Sequence, residues 1–193
     1  MKNTCLLSTD AKTYLCCYYR ILDEMIQSMT TAGLTQSISR NFAVQMIPSH
    51  RAAIQMSDNL LRFDYGSGPV RRLARQIVED RTQGIADMES AMPAFGALIT
   101  PPTDLRLYQR RMDLIYREMY AQMGAAPEHN RLAAVFLAQM IRHHQGAVRM
   151  AEHALKYDIA AELVPILRSI VSRQRQETAY MRSLLRRAEC QSG

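Results

Sequence analysis

The sequence predicts an all-α bundle built from two tandem three-helix repeats. Three observations carry that prediction. Strong helix formers (Ala, Leu, Met, Arg, Gln and Glu) dominate the 193 residues, with only 8 Gly, 7 Pro and no Trp. Apolar residues recur with helical spacing between a few turn-forming breaks. And the second half of the chain matches the first when shifted by 94 positions. A chain of this length can bury a substantial core as one domain or two small ones.

The elements follow in order. Thr9-Asp10 reads as a cap ahead of an apolar-periodic helix reaching Met29, and residues 30–38 read as a loop. A second helix is expected over Ser39–Asp64, carrying Phe42, Met46, Ile47, Ile54 and Leu61. Pro48 within it either kinks the helix ahead of His50 or marks a later helix start. The run Tyr65-Gly66-Ser67-Gly68-Pro69 ends it and opens a third helix to Met92. Residues 93–102, PAFGALITPP, are rich in Pro and Gly and read as a non-helical linker. Residues 1–92 and 103–193 are thus the two repeats. The second repeats the plan: a helix capped by Thr103-Asp104 and reaching Met123, a long helix over Glu128–Tyr157, and a last helix from about Ile159 to Arg187, with Pro165 near its start.

The 94-residue shift pairs Thr9 with Thr103, Tyr14 with Tyr108, Gln45 with Gln139 and His50 with His144. A shift of 93 aligns the third helices, pairing Ile77 with Ile170 and Gln83 with Gln176. The methionines keep register: Met25 with Met119, Met29 with Met123, Met46 with Met140, Met56 with Met150, Met88 with Met181. Ten of the 13 methionines recur in this way. Methionine interchanges with leucine at low cost in a core. Its retention against drift elsewhere therefore raises a chemical role beside plain core filling.

The chemistry is concentrated in Phe136–His153. At about 100° per residue, Met140, His143, His144, Ala147 and Met150 share one helix face. Thioether and imidazole donors together suit copper, above all Cu(I), and low coordination number. Met119 and Met123, four apart on a neighbouring helix, and Met181 on the last can approach that face. Expected ligands are therefore Met119, Met123, Met140, His143, His144, Met150 and Met181, with Met25, Met29, Met46, His50, Met56 and Met88 as weaker first-repeat equivalents. The first copy has Ser49 and Asn59 where the second has His143 and His153, so the stronger site belongs in the second repeat. Glu177, one turn before Met181, could support a ligand, and His153 could join the other histidines for Cu(II). His129 has no evident partner in the sequence.

Other chemistries lack their motifs. No glutamate has a histidine three residues on, as a di-iron bundle needs. Phosphate-loop, HExxH and GxSxG signatures are missing, and no enzyme is expected. The net charge of +6 is spread among interspersed acids and does not indicate nucleic acid. Cys5, Cys16, Cys17 and Cys190 form no CxxC pair and read as free thiols. The N-terminus carries no secretory apolar run and no segment is long enough to span a membrane, so a cytoplasmic location is expected for the sequence as given. The rival to copper handling is a metal-free helical interaction module, with a Met-rich core and a basic stripe of Arg168, Arg175, Arg182 and Arg186 as partner surface. Homo-oligomers are compatible with either.

The segments QMIPSHRAAIQM and QMIRHHQGAVRM resemble the hallmark of the family called domain of unknown function 305, close to M-I-P-H-H-x-x-A-x-x-M. The second copy keeps His143, His144 and Ala147 but has Arg142 for the proline, whereas the first keeps Pro48 and His50 but has Ser49 for the first histidine. The resemblance spans nearly the whole chain as two units. It implies a ferritin-like helical bundle, and for some members copper binding and export.

Overall fold

A computed structural model describes residues 7–63, 68–96 and 98–190, the side chains of 188–190 excepted. Six helices follow one another: α1 (Thr9–Thr30), α2 (Ile38–Phe63), α3 (Pro69–Phe95), α4 (Pro102–Gly124), α5 (Leu132–Ala154) and α6 (Leu163–Cys190). Among the described residues there is no strand, and the fold is an all-α helical bundle.

The helix ends refine the sequence expectations. Ser8, not Thr9, caps α1, its hydroxyl accepting from the Ala11 N–H at 3.2 Å. Thr103 and Asp104 lie inside the first turn of α4, which opens on Pro102; the missing N–H of that proline costs nothing there. Asp64 and Tyr65–Ser67 lie outside the described residues, but Gly68 and Pro69 do open α3. The expected linker is shorter than its composition suggests, because α3 continues through Pro93 to Phe95. Burying Phe95 completely is the gain that carries the helix past the proline. Pro48 lies inside a continuous α2, so it does not mark a later start. The long helix of the second repeat is α5, and it begins at Leu132 rather than Glu128. The preceding segment instead ties the repeats together: Glu128 accepts from Tyr19 OH at 2.5 Å and Asn130 Oδ1 accepts from the Ser8 N–H at 2.7 Å.

Each repeat packs its middle helix against the other two, α2 against α1 and α3, α5 against α4 and α6. Across the repeats the principal contacts join like to like: α2 with α5, α3 with α6, α1 with α4. That pattern is a pseudo-twofold axis running between α2 and α5. Equivalent residues make reciprocal bonds across it. Tyr14 OH donates to Gln139 Oε1 at 2.7 Å and Tyr108 OH lies 3.5 Å from Gln45 Oε1. The buried faces of the helices merge into one contiguous core, which contains all ten paired methionines.

At Gly146 of α5 the Met119 side chain of α4 packs against bare backbone. A Cβ there would fall 2.2 Å from Met119 Sδ and 2.5 Å from its Cγ. Helix propensity favours alanine over glycine by about 1 kcal/mol, whereas forcing a methyl into a filled core costs about 1–3 kcal/mol. Gly146→Ala is therefore expected to lower the chemical-denaturation midpoint; a raised midpoint would show that Met119 swings away freely.

Candidate metal centre

The axis between α2 and α5 is polar where an apolar core would be simplest. Ser49 of α2 and His143 of α5 are equivalent positions, 94 residues apart, and they meet each other. His143 Nε2 lies 3.1 Å from both the hydroxyl and the carbonyl oxygen of Ser49. A carbonyl only accepts, so Nε2 carries the proton and Nδ1 is left with a bare lone pair. Two histidines at this position would face each other across the axis, and a serine in one copy makes room for the histidine in the other.

His144 points the other way, toward α6 and α3. Its Nε2 lies 2.6 Å from Glu177 Oε2, and the guanidinium of Arg81 reaches the same oxygen. Both nitrogens donate to one carboxylate, and the 3.2 Å between Arg81 Nη2 and His144 Nε2 follows from that sharing. Here again the proton sits on Nε2, and Nδ1 is bare. His50, the equivalent of His144, makes no hydrogen bond with any described residue. Its ring packs on Gly84 of α3, which stands where the second repeat has Glu177.

Three buried imidazoles therefore lie near Arg81, one of them bonded to Glu177, and each has an Nδ1 without a partner. Burial keeps all three neutral. It holds His50 well below the usual imidazole range, with Arg81 and the other two histidines adding to the effect. Burial, then His144 and Arg81, bring His143 down to about 3, and burial outweighs the Glu177 hydrogen bond in lowering His144. For Glu177, burial pushes the carboxyl up, but the hydrogen bond from His144 and the Arg81 charge hold it below its ordinary value. The cluster thus contains one guanidinium, one carboxylate and three neutral rings.

The expected ligands are all in the core, yet the single face of α5 is divided among three neighbours. His143 meets α2, His144 meets α6 and α3, and Gly146 receives Met119 of α4. Met123, Met140, Met150 and Met181 are fully buried, as are Met29, Met46 and Met88; Met25 and Met56 are nearly so. His153 is apart from this cluster. Its Nε2 donates to the Tyr108 carbonyl at 3.1 Å, and its ring stacks on Tyr108. Its equivalent Asn59 makes the matching bond to the Tyr14 carbonyl at 3.0 Å, so His153 does an amide's structural work. His129 bonds locally, accepting from the Arg131 N–H at 3.2 Å. Cys16 and Cys17 are free thiols on α1, away from the axis; Cys5 and the Cys190 side chain lie outside the described residues.

Sequence reasoning missed Arg81. Its signal was present: Leu73, Ala74, Ile77 and Met88 are the buried stripe of α3, and Arg81 falls in that stripe at 3% exposure. A charge in a buried stripe is almost always paired, and Glu177 is the partner.

Metal-ligating histidines characteristically donate their second ring N–H to a carboxylate or a backbone carbonyl, which fixes the tautomer. His144 does the first and His143 the second. The donor set fits a soft ion of low coordination number. It does not fit a hard ion, because among the described residues no three His, Cys, Asp or Glu side chains are disposed to hold a metal by themselves. Thioether sulfur would have to complete any site.

Fold and centre together define a duplicated all-α protein with buried imidazoles between its two halves and methionines in the same core. The chain belongs to the family described as Domain of unknown function (DUF305), which matches it twice, at residues 20–92 and 108–185. Among solved structures it is similar to the crystal structure of a DUF305 fragment from Deinococcus radiodurans, at 27% identity and a TM-score of 0.56, covering 78% of this chain and 96% of that one. No curated protein matches it.

Proposed function

We propose that this protein binds Cu(I) in its core and serves in copper sequestration or handling rather than catalysis. One observation carries the reading: the bare Nδ1 atoms of His143 and His144, each fixed by an Nε2–H bond to an acceptor-only oxygen, in a core lined with methionine. His143 and His144 would supply nitrogen. Sulfur would come from Met119, Met123, Met140, Met150 and Met181, only some of which can bind one ion, and the first-repeat set of Met25, Met29, Met46, His50, Met56 and Met88 would contribute through His50. Cu(I) prefers such neutral, polarisable donors and few of them. Neutral imidazoles need lose no proton on binding, and burial keeps these neutral below the ordinary value of about 6.5, so uptake by the folded chain would be nearly independent of pH through that range.

The test is an anaerobic titration of the purified chain with Cu(I) against a chromophoric chelator. Stoichiometric withdrawal of Cu(I) is expected, and a chain that never competes at any chelator affinity would contradict the reading. A second reading has its own support. Arg81 already supplies the cation for Glu177, and His144 is neutral, so the cluster balances its charge without a metal. The bundle would then be an interaction module whose surface is the exposed stripe of Arg168, Arg175, Arg182 and Arg186 on α6. Arg175 and Arg182 flank a shallow groove of about 350 Å³ there.

A further inference from the structure

The two halves of the centre differ in how they face solvent. Outside His144 stands Glu177, bonded to the ring and to Arg81. Outside His50 the equivalent position is Gly84, and the edge of the His50 ring comes up against the place a Cβ would take. A Cβ at Gly84 would lie 3.0 Å from both Cδ2 and Nε2 of His50, so it is the Nε2 edge of the ring that faces this position, while Nδ1 is turned into the core. A cleft of about 180 Å³ between α3 and α6 leads down to this edge, with Asp80, Asp87, Ile166 and Arg173 among the residues round it.

The charges of the cleft are unequal once pairs are removed. Arg81 is matched by Glu177, and Arg173 by Asp80 at 2.5 Å. Asp87 remains at the rim, an exposed carboxylate whose bond is from the neutral Gln83 amide at 2.7 Å. His143 and His144 are fully buried, whereas His50 lines this cleft.

We infer that this cleft is the port by which a soft cation reaches the core, with Asp87 drawing it to the mouth and His50 Nε2 as its first ligand. The inference rests on the Cu(I) reading and adds a route and an order to it. Gly84 is then a functional absence, since any side chain there would cover the receiving nitrogen. The first repeat, weaker as a store because it has one histidine, is the more open as a receiver.

Stopped-flow transfer of Cu(I) from a chromophoric chelator to the chain, read as the chelator's absorbance change, separates route from affinity. Asp87→Asn is expected to slow transfer several-fold at low ionic strength, with the difference shrinking at high salt and final occupancy unchanged. Gly84→Ala should slow it at every salt concentration. His50→Gln, which removes the receiving imidazole, should also slow it at every salt concentration, with uptake at the second repeat still reached at equilibrium. Transfer rates in all three variants equal to that of the unmodified chain would overturn the port while leaving Cu(I) binding intact. An unmodified chain that takes up no Cu(I) at equilibrium would overturn both.

Discussion

Arg81→Met is expected to destabilise the folded chain by about 3–5 kcal/mol at neutral pH, the typical cost of removing one partner of a buried ion pair. The substitution leaves the Glu177 carboxylate, 11% exposed, with only a neutral imidazole as donor. Glu177→Leu should be comparably damaging, because it strands a guanidinium at 3% exposure and takes the hydrogen bond from His144. The double variant Arg81→Met/Glu177→Leu should recover a large part of the loss, since a buried ion pair and a well-packed apolar pair of similar volume are often near equal. Denaturation of the four species gives the coupling directly. A coupling of about 2 kcal/mol or more is expected; single losses under about 1 kcal/mol, or strict additivity, would show that Arg81 is solvated in the folded state.

Stability should also fall steeply with mild acid. His50, His143 and His144 are held neutral when folded, whereas in the unfolded chain each titrates near its ordinary value of about 6.5. Below that value the unfolded chain binds more protons than the folded one, so stability rises with pH and is lost as pH falls. Each ring contributes up to about 1.4 kcal/mol per pH unit where only the unfolded form titrates, and His129 and His153, also lowered by burial, add loss of the same sign. The window from about pH 6.5 to 5 lies above ordinary carboxylate titration, which isolates the histidines. Glu177, also lowered, adds loss of the same sign at more acid pH. Urea midpoints measured without metal at several pH values check the slope, and His50→Gln should reduce it. A midpoint flat between pH 6.5 and 5 would mean that the rings are already protonated or reach water.

Much of this was legible in the chain. The duplication was readable because a constant 94-residue offset survives through the first two helices of each repeat, and the six helices follow from it. The helix ends were less legible where tertiary gain overrides local preference, as at Pro93, whose helix continues to bury Phe95. At the centre, periodicity placed His143 and His144 on one face, but the direction of each ring depends on neighbours that no spacing reveals. Ser49 read as the loss of a histidine; in the folded chain it is the partner of the surviving one. His153 read as a spare ligand, and its bond to Tyr108 shows it doing what Asn59 does in the other repeat. Equivalence across the axis, not identity in sequence, explains both. Arg81 escaped notice because its partner is 96 residues away.

The most direct test of the proposed centre compares Cu(I) competition titrations of the unmodified chain and of His143→Ala/Met140→Leu, run side by side with circular dichroism to establish folding. The centre predicts stoichiometric binding by the first and at least a tenfold loss of affinity in the second, about 1.4 kcal/mol. Unchanged affinity in the folded double variant would contradict it.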